Sequence, residues 1–132
     1  MSAEANKNLL RTAYAEMAKG NAQAFLDAMA DDVTWTLIGT TKLSGTYRGK
    51  QDIIDNFFGP FMADIDGHAA ITPKNFIADG DFVAMQAEGK ARTRFGKDYD
   101  NTYCHVFRFG GGKIREVTEY CDTELVNEAF SA

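Results

Sequence analysis

The sequence has few of the residues that build disulfide frameworks, zinc sites or membrane spans. Its 132 residues include only two cysteines, two histidines, two prolines and one tryptophan. Two cysteines do not make a disulfide framework, so we expect Cys104 and Cys121 to be reduced and the protein to be cytoplasmic. No stretch approaches the roughly 20 apolar residues of a membrane helix, and we find no apolar signal core near Met1. We therefore expect no membrane partner.

Positive charge is also in short supply. The 14 lysine and arginine residues are outnumbered by 19 aspartate and glutamate residues, which gives a formal net charge of −5. An acidic surface repels nucleic-acid phosphates, so we expect no nucleic-acid partner. The two histidines, His68 and His105, fall on different predicted strands, and no cysteine–histidine spacing suits zinc. We expect no metal and, because no cofactor motif is present, no cofactor.

Apolar and aromatic residues are plentiful by contrast. The chain is 45% hydrophobic and holds ten phenylalanines and five tyrosines, which suits the core of one domain spanning residues 1–132. Apolar spacing predicts a helix over 4–19, a short helix around Phe25, a strand over 33–38, a helix over 50–62 and then four antiparallel strands. Helices followed by a strand meander give the α+β class. We expect a cone in which a strongly curved antiparallel sheet wraps around three N-terminal helices.

Two apolar-rich segments near the C-terminus, joined by the three glycines 110–112, predict a β-hairpin. A three-residue loop would place His105 opposite Val117 and Tyr103 opposite Glu119. Directly opposed residues share one face of a sheet, so all four side chains would lie together. A carboxylate, an imidazole and a phenol on a largely apolar face are costly to bury without a partner or a purpose. This face is therefore the best candidate for a functional site.

Glu119 and His105 are the candidate catalytic residues. A carboxylate beside an apolar wall can have a raised pKa and act as a general acid or base near neutral pH. The alternative is an exposed glutamate at a strand end, or a structural partner of Tyr103 or Arg115. His105 could share a proton with Glu119 or hydrogen-bond a ligand carbonyl, or it could be a satisfied core residue.

The candidate substrate-binding residues would line a cavity above the same face. Alternation over 82–95 directs Ala87 and Gly89 inward, where small side chains leave room above the sheet. Trp35 would lie at the mouth of the cavity, and Tyr14 would bring a hydroxyl into the interior. The full set is Tyr103, Trp35, Tyr14, Ala87, Gly89 and Val117.

Several short segments occur in the order and spacing of a known superfamily. They are Ala30–Trp35 after the helix pair, Gly45–Lys50 before the third helix, and Gly112–Ile114 followed by Glu119–Asp122 in the closing hairpin. Over nearly the whole chain the sequence resembles the nuclear transport factor 2-like superfamily, and within it the SnoaL-like group. The resemblance implies a cystatin-like roll, a pocket for a hydrophobic small molecule, and a homodimer formed through the outer face of the sheet.

The superfamily includes isomerases, cyclases, epoxide hydrolases and dehydratases, as well as proteins that only bind or only dimerise. The base of the ketosteroid isomerases corresponds to a position at or near Leu37 here. One catalytic aspartate of the limonene-epoxide hydrolases corresponds to Glu119, but their arginine and second aspartate correspond to positions near Ala87 and Gly89. Leucine, alanine and glycine cannot supply that chemistry. The pattern is most similar to the SnoaL-like polyketide cyclases, which use one aspartate as acid and base.

Three functions are compatible with these observations. The first is a cofactor-free isomerase or cyclase, in which Glu119 moves a proton next to a carbonyl and His105 or Tyr103 hydrogen-bonds the enolate oxygen. The second is a non-catalytic domain whose polar groups merely orient a ligand. The third is a dimerisation domain with a filled interior, since the outer face of the sheet is less polar than a fully solvated one. That outer face would carry Cys104, Val106, Thr118 and Tyr120.

Overall fold

The computed structural model describes residues 2–132, and within them it contains five α-helices, one π-helical turn and six strands. The helices are α1 (Ala3–Ala18), α2 (Gln23–Ala28), α3 (Lys50–Ile53), α4 (Gly59–Ala63) and α5 (Thr123–Ala129), with the π-helical turn Ile54–Phe58 between α3 and α4. The strands are β1 (Met29–Leu37), β2 (Gly45–Arg48), β3 (Ala70–Asp79), β4 (Phe82–Lys90), β5 (Thr102–Gly110) and β6 (Lys113–Cys121). None of these helices has the length and hydropathy needed to cross a membrane.

Helix α1 combines an N-cap with a single apolar face. The Ser2 hydroxyl accepts a hydrogen bond from the Ala5 amide at 3.1 Å and so satisfies one free N–H group of the first turn. Leu10, Ala13 and Tyr14 follow at helical spacing and are buried. Because α1 packs across β3 and β4, these side chains point toward the sheet. We call the face of the sheet that the helices cover the inner face.

The six strands form one curved, unclosed sheet in the order β2-β1-β6-β5-β4-β3. Neighbouring strands are antiparallel except β1 and β6, which run parallel. Strand β3 lies at an edge, and its register shifts between Pro73 and Asn75, as suits a residue without a ladder donor. The predicted α+β class, with a curved sheet around N-terminal helices, is confirmed. The parallel pair is an addition that local sequence patterns could not indicate.

The loop of the final hairpin is shorter than predicted. It consists of Gly111 and Gly112 alone, because Gly110 already pairs with Lys113. The two loop residues have φ of +60° and +76°. Two left-handed residues match the twist of the flanking strands, and glycine adopts this conformation without a steric penalty.

The shorter loop and a β-bulge together change the predicted pairing of β5 with β6. His105 pairs with Glu119 rather than with Val117, and Tyr103 pairs with Cys121 rather than with Glu119. The two-glycine loop moves the pairing by one residue, and a β-bulge between Arg108 and Phe109 moves it by one more, so the total shift of two leaves these side chains on their original faces. The predicted register was therefore wrong, whereas the predicted inward direction of these residues is correct.

Strand β4 is also shorter than its alternation predicted. It ends at Lys90, not at residue 95, because the chain turns back at Gly96, which has a φ of +76°. The Thr93 amide donates to the Lys97 carbonyl at 2.8 Å across this turn.

The C-terminal segment closes one end of the fold. Asp122 caps α5 through its side chain, and the helix delivers Phe130 into the interior, where it is 2% exposed. The Phe130 ring centroid lies 5.4 Å from that of Phe61 and 4.8 Å from that of Tyr99. Lys42 Nζ donates to the Phe130 carbonyl at 2.7 Å, so polar and aromatic contacts together hold this segment in place.

Candidate functional site

The candidate site lies on the inner face where β1, β6 and β5 adjoin. Trp35 on β1, Glu119 on β6 and His105 on β5 all face the helices and are 3%, 7% and 4% exposed. The antiparallel ladder pairs His105 directly with Glu119. The parallel ladder places Trp35 beside Val117, one inward position before Glu119. The structure thus brings the two candidate catalytic residues together.

Glu119 is held through one of its two carboxylate oxygens. Trp35 Nε1–H donates to Oε1 at 3.1 Å. Within residues 2–132 the second oxygen, Oε2, accepts no side-chain hydrogen bond and is free to take a proton. The sequence did not predict the Trp35–Glu119 bond, because it depends on the parallel contact between β1 and β6.

His105 stands next to the carboxylate without bonding to it. Its Nε2 is 3.7 Å from Glu119 Oε1, which is beyond hydrogen-bond distance. Nε2 is buried and has no hydrogen-bond partner among the described residues. On the other side of the ring, Nδ1 lies 3.4 Å from the hydroxyl of Tyr14. His105 therefore has one ring nitrogen engaged and one still available.

Burial shifts the pKa of both residues toward their neutral forms. Loss of solvation raises the pKa of Glu119 from 4.5 to about 7, although the hydrogen bond from Trp35 opposes this shift. Loss of solvation also lowers the pKa of His105 from 6.5 to about 3. At neutral pH the imidazole is uncharged and the carboxyl group exists in both forms. A carboxyl group with such a pKa can accept a proton and return it.

Tyrosine side chains add hydroxyl donors around this pair. Tyr14 lies on α1 and is 4% exposed, and Tyr103 lies on β5 and is 9% exposed. The Tyr103 ring makes an edge contact with the His105 ring at 5.2 Å between centroids. Burial raises the pKa of both phenols; the charge of Glu119 adds to this for Tyr14, and interactions with Tyr99 and then the charge of Glu119 add to it for Tyr103. Both hydroxyls therefore keep their protons and act as donors.

The predicted space above Gly89 is filled. Ala87 and Gly89 do lie on the inner face of β4, and Ala87 pairs with Tyr103. A Cβ atom placed on Gly89 would be only 2.7 Å from Tyr103 Cε2. The small residues therefore accommodate the Tyr103 ring rather than an open cavity. Val117 is 1% exposed and packs beside Trp35, and substrate contacts by these residues stay a prediction.

Two surface grooves border the site, and three of the predicted substrate-binding residues line them: Ala87 and Tyr103 the first, and Gly89 the second. One of about 440 Å³ runs across β3 to β6 and has Gln86, Cys104 and Tyr120 among its lining residues. A second of about 340 Å³ continues along β3, β4 and the start of β5. Neither groove is lined by Glu119 or His105. A ligand confined to either groove therefore does not contact Glu119 or His105.

The π-helical turn supplies an aromatic wall that the sequence did not identify. Both Phe57 and Phe58 contact Trp35, with ring centroids 5.8 and 5.1 Å away. Pro60 has no N–H to continue the α-helical ladder, and the wider turn before it brings two consecutive rings against one neighbour. Gly59 is required here, because a Cβ atom would lie 2.8 Å from the Ile54 carbonyl oxygen.

Asn101 is a second feature near the site that the sequence analysis did not identify. It is 1% exposed and joins the ends of β5 and β6. Its Nδ2 donates to the Tyr99 hydroxyl at 3.1 Å and to the Asp122 carbonyl at 3.2 Å. Burial raises the pKa of Tyr99 to about 12. These contacts connect Tyr99 to the residue that caps α5.

The part of the chain that the structure describes contains neither a metal-binding cluster nor a disulfide bond. No group of three or more histidine, cysteine, aspartate or glutamate side chains there is placed to hold a metal ion. Cys104 and Cys121 are both unpaired. Their strand positions put them on opposite faces of the sheet.

A family profile for the SnoaL-like domain matches residues 10–117, which is most of the chain. The chain belongs to the SnoaL-like domain family. This family includes polyketide cyclases and isomerases, and membership confirms the resemblance inferred from the sequence. Glu119 lies just beyond the matched segment, so the family match assigns no role to it.

Individual relatives of this SnoaL-like chain agree in length and fold. An uncharacterized protein of Mycobacterium tuberculosis (strain H37Rv) is 24% identical over 132 residues, covering 100% of both chains. An NTF2-like protein of unknown function from Burkholderia pseudomallei has a TM-score of 0.86 at 24% identity, again covering 100% of both chains. TerC, co-crystallized with polyporic acid, has a TM-score of 0.83 at 23% identity, covering 97% of this chain and 99% of its own. These structural similarities establish the fold.

Proposed function

We propose that this SnoaL-like chain binds a small hydrophobic molecule with a carbonyl group and moves a proton next to that carbonyl without a cofactor. The observation that carries the proposal is the buried pair of Glu119 and His105 on the inner face. One carboxylate oxygen is held by Trp35 at 3.1 Å and the other is free. An available imidazole nitrogen stands 3.7 Å away.

The proposed reaction is an isomerisation or ring closure through an enolate. Glu119 Oε2 removes a proton from the carbon next to the carbonyl, and the electron pair moves onto the carbonyl oxygen. His105 or Tyr103 donates a hydrogen bond to that oxygen while its charge develops. In an isomerisation, Glu119 then returns the proton to a different carbon. In a ring closure, the enolate carbon attacks a second carbonyl of the same molecule, and Glu119 returns the proton to the oxygen of that carbonyl. The carboxylate is regenerated in both cases. A pKa of about 7 for Glu119 suits both steps near neutral pH.

Aromatic walls around the pair favour an apolar ligand. Trp35 and His105 are in edge contact at 5.6 Å between ring centroids, and Phe58 is half-buried against Trp35. We propose that the ligand displaces side chains such as Phe58 on binding. TerC, which shares the fold, was co-crystallized with polyporic acid, and this supports a small-molecule role for the interior.

Deuterium exchange into a simple ketone tests the proposal without knowledge of the natural substrate. The protein is incubated with 2-tetralone in D₂O, and NMR follows loss of the protons next to the carbonyl. We expect the wild-type chain to accelerate exchange and Glu119→Gln to reduce that acceleration by about 100-fold or more. Glu116→Gln is the matched control, because Glu116 lies on the same strand but faces outward and pairs with Arg108.

The outcomes separate catalysis from binding. Exchange that survives Glu119→Gln would exclude Glu119 as the proton carrier. Saturable quenching of Trp35 fluorescence by 2-tetralone, without any exchange, would support a non-catalytic binding domain instead. Both measurements use the full chain, and Trp35 is its single tryptophan.

We also propose a homodimer through the outer face of the sheet. The ladders align one uncharged row across all six strands, from edge to edge. This row consists of Ile77, Ala84, Val106, Thr118, Thr36 and Thr46. Ile77 is 56% exposed, and the neighbouring Tyr120 is 46% exposed. A flat row of apolar and β-branched side chains is suited to packing against the same face of a second copy.

Light scattering tests the dimer directly. We expect wild-type protein to elute with the mass of two chains and Thr118→Arg to shift it to one. Thr12→Arg is the control, because it adds the same charge on the exposed side of α1. A monomeric wild-type protein at micromolar concentration would remove this proposal.

Unpaired Cys104 and Cys121 support the further expectation that the protein acts in the cytoplasm.

A further inference from the structure

The hydroxyl of Tyr14 has a single neighbour with which to form a hydrogen bond. It lies 3.4 Å from His105 Nδ1, and no other side-chain hydrogen bond of Tyr14 exists within residues 2–132. If Nδ1 carried a proton, the hydroxyl would accept it, and its own proton would be buried without an acceptor. Either tautomer leaves one buried donor unpaired, but a phenol O–H is a stronger donor than an imidazole N–H, and an imidazole nitrogen is a stronger acceptor than a phenol oxygen. The hydroxyl therefore donates, and Nδ1 accepts.

This donor direction fixes where the imidazole proton lies. A neutral histidine carries one ring proton, so an accepting Nδ1 places the proton on Nε2. His105 is neutral because burial lowers its pKa to about 3. The Nε2–H group then faces Glu119 Oε1 across 3.7 Å. In the opposite tautomer, a lone pair would point at the carboxylate.

We propose that Tyr14 is a positioning residue that selects the Nε2–H tautomer of His105. It would act through the imidazole, not by touching the ligand as the sequence predicted. The selected tautomer presents an unpartnered donor next to the carboxylate, where a ligand oxygen can accept it. In that respect the inference rests on the proposed function, since it names which group hydrogen-bonds the enolate.

Packing around Tyr14 makes it suited to this task. Its ring is in edge contact with Phe25 at 5.1 Å and with Phe107 at 6.5 Å between centroids. Rings packed on two sides leave the hydroxyl little freedom to rotate away from Nδ1. Phenylalanine preserves this packing and removes only the oxygen, so Tyr14→Phe tests the hydroxyl without disturbing the fold.

Long-range ¹H–¹⁵N correlation spectra of ¹⁵N-histidine protein, recorded without ligand, report the tautomer of His105. His68 is exposed and serves as the second, reference signal. An ionised Glu119 also favours a proton on Nε2, so its influence must be removed. The spectra are therefore compared for wild type, Glu119→Leu, Tyr14→Phe and the double variant. Leucine at position 119 offers His105 neither a donor nor an acceptor and imposes no preference of its own.

We expect wild type and Glu119→Leu to carry the proton on Nε2. The double variant should lose this preference, with the Nε2–H to Nδ1–H ratio falling by about fivefold or more. Tyr47→Phe is the control, because the Tyr47 hydroxyl donates to the Leu43 carbonyl at 2.7 Å, and its loss should leave the His105 signals unchanged. A proton on Nδ1 in wild type, or an unchanged ratio in the double variant, would overturn the proposal.

The proposal for Tyr14 and the proposal for proton transfer by Glu119 can be contradicted independently of each other. If His105 carries its proton on Nε2 and Tyr14 controls it, but 2-tetralone exchange is absent, the positioning role stands and the proposed reaction falls. If exchange depends on Glu119 while Nδ1 carries the proton, the reaction stands and the positioning role falls. Where both hold, Tyr14→Phe should slow exchange by about tenfold at saturating ketone with little change in KM.

Discussion

His105 lies directly across the β5–β6 ladder from Glu119, with Nε2 3.7 Å from Oε1. Burial removes the solvation that stabilises either charged form, so it moves the two pKa values in opposite directions. The raised pKa of Glu119 adds stability that is fully present below pH 4.5 and lost as the pH rises through about 7. The lowered pKa of His105 adds stability that is fully present above pH 6.5 and lost as the pH falls through about 3.

Stability against pH should therefore change when Glu119 is neutralised. In wild type the two opposite slopes cancel between the ordinary pKa values of Glu119 and His105. Replacing Glu119 by glutamine removes one slope. We expect the free energy of unfolding of E119Q, relative to wild type, to increase by about 1.4 kcal/mol per pH unit between pH 5 and pH 7. Urea unfolding at fixed pH values measures this, Glu116→Gln is the control, and a pH-independent difference would contradict the pKa of Glu119.

Trp35 should hold the pKa of Glu119 below the value that burial alone would give. Its N–H donates to the carboxylate at 3.1 Å and favours the ionised form. Trp35→Phe keeps a ring and removes this donor, so we expect the pKa of Glu119 to rise by about 1 unit. A ¹³C carboxyl titration measures it. Phe58→Leu changes the packing on Trp35 but keeps the donor, and an equal shift in both variants would assign the effect to packing instead.

The faces of the sheet could be predicted from the sequence, but its contacts could not. Alternation alone placed Glu119, His105 and Tyr103 inward, because a period of two survives an even error in register. The pairing of His105 with Glu119 depended on a two-glycine loop, which the Gly110–Gly112 sequence leaves ambiguous, and on a β-bulge between Arg108 and Phe109, which the alternation does not reveal. The bond from Trp35 required knowledge that β1 and β6 are neighbours, and that contact spans more than eighty residues of chain.

The space expected directly above Gly89 is occupied for a related reason. Small residues at Ala87 and Gly89 indicate that something approaches the strand closely, yet they do not say whether it is a ligand or a side chain. In this fold it is the ring of Tyr103. The two consecutive phenylalanines of the π-helical turn gave no signal either, because an α-helical stripe and a π-helical turn require the same apolar residues.

Gly89 should tolerate no side chain while Tyr103 keeps its place. A Cβ atom there would be 2.7 Å from Tyr103 Cε2, so Gly89→Ala must displace the ring or the strand. We expect a loss of about 1–3 kcal/mol in the free energy of unfolding and altered chemical shifts for His105, which touches the same ring. Gly110→Ala is the control, since its nearest neighbours are atoms of the flexible Arg115 side chain at 3.2 Å and beyond. Equal stability of both variants would show that Tyr103 does not fill this space.

Gly59 should be required for the contact between the π-helical turn and Trp35. A Cβ atom at Gly59 would lie 2.8 Å from the Ile54 carbonyl oxygen, which is backbone and cannot rotate away. Gly59→Ala must therefore open the turn and move Phe58 from its position 5.1 Å from Trp35. We expect a loss of about 1–3 kcal/mol in stability and a red shift of Trp35 emission as water reaches the indole. Asn56→Ala, on the exposed side of the same turn, should change neither. An unchanged emission spectrum in the Gly59 variant would mean that Phe58 is held against Trp35 by something other than the π-helical turn.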